Sequence, residues 1–185
     1  MKTENYTVLK CRKSTYNLKN LCFVADFLNL KHNEETATTV EISKISGISP
    51  QILAYSFRDD DMQMAVLRKL FAGYGYKLDI EFVPINESET DKNVYIDKVN
   101  NCLVRKVGDM ETKISVDFFG KNLEPLHYAM MKYSVSLAVL SEKTGTSRQV
   151  FINRFKADDC RFSVLVHIAK VMSWKILVDI SKENA

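Results

Sequence analysis

Histidine and cysteine are scarce in this chain, and neither is clustered. The four cysteines, Cys11, Cys22, Cys102 and Cys160, stand singly with no Cys-x-x-Cys pair, and the three histidines, His32, His127 and His167, lie far apart. Structural zinc needs grouped ligands, so no metal site is expected, and scattered thiols fit a reducing, cytoplasmic setting. No apolar run reaches the ~18 residues of a transmembrane helix, so no membrane partner is expected. The opening Met1-Lys2-Thr3-Glu4-Asn5 is basic but is not followed by the apolar core of a secretory signal. Without such a signal the Asn86-Glu87-Ser88 acceptor pattern carries no meaning. There is no Gly-rich phosphate loop and no arguable Ser-His-Asp or Cys-His set, so the chain is read as no enzyme, with no cofactor and no small-molecule ligand. An excess of one charge is lacking too: the net charge is only +3.

What is present is a repeat. Residues 43–82 align without a gap on residues 141–180, 98 positions later. The identities are Ser43/Ser141, Gly47/Gly145, Ser49/Ser147, Gln51/Gln149, Phe57/Phe155, Asp60/Asp158, Asp61/Asp159, Val66/Val164, Leu67/Leu165 and Lys77/Lys175. Chance would supply roughly two or three. Apolar character also persists at Ile42/Leu140, Ile52/Val150, Leu53/Phe151, Leu70/Ile168, Tyr76/Trp174, Leu78/Ile176 and Ile80/Val178. The period exceeds the ~20–50 residues of a solenoid repeat, so a small domain is used twice.

Each copy predicts two short helices joined by a glycine. In the second, Ser136 caps a helix through Lys143, Gly145 makes the turn, and Ser147 caps a helix to about Lys156. In the first, Thr38 is the cap, Gly47 the turn, and residues 49–58 the second helix. Small Ser43 and Ser141 are placed at the helix crossing. Leu53 with Phe57, and Phe151 with Phe155, lie four apart and are expected to face the core together. A third amphipathic helix follows, with Phe162, Leu165, Ile168, Ala169 and Met172 on one face, matched by Met64, Leu67, Leu70 and Phe71. Both copies end in alternating segments, 77–82 and 175–180, that read as strands.

The stretch Leu140-Ser141-Glu142-Lys143-Thr144-Gly145-Thr146-Ser147-Arg148-Gln149-Val150-Phe151-Ile152-Asn153-Arg154-Phe155-Lys156 resembles the turn and recognition helix of the lambda-repressor-like (Cro-type, Xre-like) helix-turn-helix family. The likeness covers about 21–82 and 121–182. It implies a compact helical bundle per copy and sequence-specific binding of double-stranded DNA. Pro50 in place of Arg148, and the acidic Asp59-Asp60-Asp61, are departures in the first copy.

Charge divides unevenly. Residues 1–20 carry +4, 21–83 carry −3, 84–120 carry −2 and 121–185 carry +4. Phosphate attraction therefore favours the second copy and the amino-terminal arm. With the phenylalanines inward, Ser147, Arg148, Gln149, Asn153, Arg154 and Lys156 are the candidate DNA-binding residues, because Arg suits guanine and Gln or Asn suits adenine. The equivalent set in the first copy is Ser49, Gln51, Tyr55, Ser56 and Arg58. Trp174, Tyr76 and the other aromatics of 71–76 are read as packing, and the repeated aspartates as caps of the helix that follows them.

The expected organisation is a basic arm (1–20), a helix-turn-helix domain (21–83), a linker (84–120) and a second helix-turn-helix domain (121–185). In the linker, 93–103 reads as a helix, and 104–107 with 113–118 as a hairpin around Gly108-Asp109. A short strand is also expected near Tyr6 to Leu9. The trailing strands are candidates to pair with each other, or with another chain. The fold class expected is mainly α: two tandem lambda-repressor-like bundles with short strands. The function expected is transcriptional regulation in a bacterium or phage, by one chain or a homodimer. A second reading is a protein-interaction or dimerisation module, antitoxin-like or an adaptor, in which one or both units no longer bind DNA.

Overall fold

A computed structural model of the chain describes residues 7–11, 14–32, 38–86, 94–97, 102–107, 110–115 and 121–183. Two compact units emerge: Met1–Asp79 with Arg161–Ser163 and Val178–Ala185, and Ile80–Cys160 with Val164–Leu177.

In the first unit, β1 (Thr7–Cys11) and β2 (Ser14–Leu18) form an antiparallel hairpin with Thr7 opposite Leu18. Helices α1 (Cys22–Lys31), α2 (Thr39–Ser46), α3 (Pro50–Arg58) and α4 (Met64–Gly73) follow, and β3 (Tyr76–Pro84) begins here. The hairpin buries Leu9 and Leu18 in the same core as Val24, Leu28, Ile42, Leu53, Phe57, Leu67 and Phe71. Gly73 allows α4 to lie directly on the end of α2: a Cβ there would stand 2.5 Å from the Ser46 Cα. That approach is of α4 on α2; Ser43, expected at the crossing of α2 with α3, is half-buried.

The second unit holds β4 (Val94–Asp97), β5 (Cys102–Val107) and β6 (Met110–Ser115) as a three-stranded antiparallel sheet. Helices α5 (Glu124–Lys132), α6 (Leu137–Thr144), α7 (Arg148–Ala157) and, from Val164 on, α8 (Phe162–Val171) come next, then the first half of β7 (Trp174–Lys182), which passes to the first unit at Val178. Leu126, Ala129, Leu140, Phe151, Leu165, Ile168 and Trp174 are buried. Trp174 meets the Phe82 and Tyr133 rings at 5.9 and 5.4 Å, so it is a packing residue.

The expectation of a mainly α fold made of two tandem lambda-repressor-like bundles is overturned. Among the described residues eight helices are joined by seven strands in three sheets, which makes this a mixed α and β protein. A hairpin precedes each set of four helices, and a nine-residue strand closes each set. The expected helix over 93–103 is replaced by β4 and the start of β5, where Tyr95 and Ile96 pair with Val104 and Leu103. Cross-strand pairing overrides weak local helix preference there. The hairpin forms as expected, with its return strand at Met110–Ser115; Gly108, Asp109 and 116–118 fall outside the described residues, as does Tyr6. The trailing strands β3 and β7 are neighbours in one sheet, so they pair within the chain. Glu183 N–H donates to Gly75 O in the first unit and Ile85 N–H to Ser173 O in the second. Among the described residues no helix is long and apolar enough to cross a membrane.

Candidate nucleic-acid interface

The helix pair α6–α7 is built from local signals. The Ser136 hydroxyl accepts from Val139 N–H, and the Ser147 hydroxyl accepts from Val150 N–H. Gly145 takes φ 66°, the left-handed region open to a residue without a Cβ. Thr144 Oγ1 donates to Leu140 O at 2.7 Å and accepts from Thr146 N–H at 3.3 Å, so one hydroxyl bridges helix end and turn. In the first unit Ser46 does the same between Ile42 O and Ile48 N–H, beside Gly47, also at φ 66°. A reciprocal Thr38–Glu41 capping box opens α2, and the Thr38 N–H and hydroxyl hold the Glu41 carboxyl below the usual range.

On α7, Phe151 is buried, while Arg148, Gln149, Asn153 and Lys156 are exposed, as is the cap Ser147. Arg154 is half-buried with its guanidinium 5.7 Å from the Phe151 ring centroid. The Gln149 Nε2 donates to the Asn153 Oδ1 at 3.0 Å. That bond joins two side chains one turn apart and leaves a Gln149 acceptor and an Asn153 donor for another partner. Phe155 is only half-buried, unlike Phe57, and lies 4.1 Å from the His127 ring. Burial, opposed by the Asp158 carboxylate, pushes the His127 pKa down to about 4.

The same face of α3 has different chemistry. Ser49 caps the helix, and Gln51, Tyr55 and Arg58 are exposed. Ser56 is half-buried. The Arg58 guanidinium sits 4.8 Å over the Tyr55 ring and pairs with Asp59 at 2.8 Å, which holds the Asp59 carboxyl low. Over the paired spans 39–59 and 137–157 the net charge is 0 in the first copy and +3 in the second. Lys143, exposed opposite Ile45 in the repeat, belongs to the basic face and was not singled out from the sequence; the position-by-position charge comparison reveals it.

The repeated aspartates act on a different helix from the one expected. Asp60 and Asp158 both adopt φ 49° and reach back to the first helix of their own set. Asp60 accepts from the N–H groups of Lys19, Asn20 and Leu21, and Asp158 from those of Asn122 and Leu123. The Asn20 and Asn122 amides return a bond to the aspartate carbonyls. The anchored triplets are Lys19-Asn20-Leu21 and Lys121-Asn122-Leu123, so the repeat extends upstream at an offset of 102. Asp61 instead accepts from the Ser163 N–H at 3.0 Å and hydroxyl at 2.7 Å. These carboxylates therefore serve the backbone. No family model, curated protein or solved structure matches the chain, so what it binds must be argued from this surface alone.

Proposed function

We propose that the chain is a sequence-specific double-stranded DNA-binding protein, serving transcriptional regulation, that reads the major groove mainly with α7. One observation carries the reading: the exposed face of α7 presents Arg148, Gln149, Asn153 and Lys156 around a single buried anchor, Phe151. A ten-residue helix is about 15 Å long, and the B-form major groove is about 12 Å wide. Arg148, in the first turn, suits the guanine edge. The linked Gln149–Asn153 pair offers one acceptor and one donor, which is the pattern adenine N6 and N7 complement. Lys143, Arg154 and Lys156 supply charge for phosphates.

Selection of bound duplexes from a random pool, followed by anisotropy titration, tests this. A defined consensus should emerge, and Arg148→Ala or Gln149→Ala should each cost ~1–3 kcal/mol at that site and relax one position. No enrichment, or both variants binding cognate and random duplexes like wild type, refutes it.

A further inference from the structure

The two copies keep the same backbone through the turn and diverge in what they show to solvent. On the first copy Ile45, Ile52 and Tyr55 are 44, 47 and 52% exposed. Ile52 and Tyr55 lie three apart and share one face of α3. At the equivalent places the second copy has Lys143, Val150 and Asn153, and where the first has Pro50 and Ser56 the second has Arg148 and Arg154. Beside the apolar ridge, α3 and β2 bound a groove of about 520 Å³ lined by Thr15, Tyr16, Asn17, Ala54, Tyr55 and Arg58. Ridge and groove share Tyr55, so one face carries both a projection and a recess.

We infer that this α2–α3 face of the first copy is a self-association surface, and that its occupant is the same face of a second copy of this chain. Charge selects the occupant. Across a two-fold axis a surface meets itself, so any net charge on it is opposed by an equal charge of the same sign. Residues 137–157, at +3, would repel their own copy. Residues 39–59, at zero net charge, do not: Glu41 and Lys44 offset one another, as do Arg58 and Asp59. The Arg58–Asp59 pair is self-complementary, because a two-fold partner presents an anion for each cation it brings. The Tyr55 ring, already carrying the Arg58 guanidinium on its face, is the kind of rigid amphipathic side chain that anchors interfaces. The inference rests on the first copy alone, and DNA binding by α7 is a separate claim.

Sedimentation velocity on the full chain tests it. Wild type should sediment as a dimer at about 100 μM and dissociate on dilution. Ile52→Lys with Tyr55→Asn should weaken association at least about 100-fold, since two central apolar contacts are lost and each dimer gains two buried positive charges. Ile45→Lys, which installs the second copy's residue, should weaken it in the same direction. All three positions are exposed, so at a dilution where wild type is monomeric, circular dichroism and the melting temperature should stay at wild-type values. A monomer at the top concentration, or a dimer that survives the double variant, overturns the inference. A short duplex holding one half-site keeps the two claims apart: Ile52→Ser, outside both sets of candidate DNA-binding residues, should bind it like wild type while associating more weakly. Arg148→Ala should do the reverse, losing half-site binding and keeping wild-type association, and weakened association in that variant counts against the α2–α3 surface.

Discussion

The salt dependence of DNA binding gives the most discriminating measurement of the α7 interface. Three cations of the face, Lys143, Arg154 and Lys156, are assigned to phosphates, and Arg148 to a base edge. Each phosphate neutralised contributes about −0.9 to the slope of log K against log salt, so one copy of the face predicts a slope of about −2.7. Between 50 and 200 mM salt the affinity should then fall roughly 40-fold. Lys156 is exposed in the last turn of α7, and Lys156→Met keeps its stem while removing its charge. The slope should drop to about −1.8, and the same salt change should cost roughly 12-fold, for every duplex sequence alike. If the first copy also engages DNA, Lys44 and Arg58 raise the count and steepen the slope to about −4.5; a dimer laying two α7 faces on one duplex gives about −5.4. Anisotropy titration of the selected duplex at five salt concentrations reads all of these. A slope shallower than about −1, or no change on Lys156→Met, would falsify phosphate contact by this face.

Three further outcomes follow from packing and titration. His127 has a folded-state pKa near 4 against an ordinary 6.5, so the unfolded chain binds the proton more readily; stability should be intact above pH 6.5 and fall as pH drops toward 4. Discounted for its partial exposure, the loss is about 1–2 kcal/mol, and urea midpoints of His127→Leu should be flatter over that window than those of wild type. Asp158→Ala should destabilise by about 2–3 kcal/mol, combining a lost cap on the Asn122 and Leu123 N–H groups with alanine's lower tolerance of the positive φ that aspartate adopts; Asp158→Gly should cost less and Asp158→Asn least, and any other rank order in melting temperature contradicts the anchoring role. Gly73→Ala should cost about 1–3 kcal/mol, because its Cβ meets backbone that cannot yield, and a neutral result would mean that α2 and α4 are less tightly seated.

Much of the local architecture was legible in the sequence, because caps, glycine turns and helix faces are short-range events. Thr38, Ser136 and Ser147 are expected as caps, and each accepts the bond expected of it. Gly47 and Gly145 turn left-handed as their positions required. The α4 and α8 faces bury the residues that their spacing placed there. The candidate site was legible in the same way: once Phe151 is known to point inward, helical geometry alone sends Arg148, Gln149 and Asn153 outward.

The remainder was decided by contacts between residues distant in sequence. The Lys-Asn-Leu triplets were hidden because the first helix and the connection after it are together four residues shorter in the second copy, which shifts the offset from 98 to 102. The carboxylates that hold them lie 35 to 41 residues away, and no local pattern marks such a partner. Strand β4 escaped for the same reason: it resembles a helix start until β5 is there to pair with it. Sequence by itself therefore determined the two helices flanking each glycine turn and that the chain repeats. Only the tertiary structure decided that each copy is a hairpin, four helices and a strand, and that two nearly identical turns present one charged and one apolar face, because solvent exposure is set by everything packed around a residue.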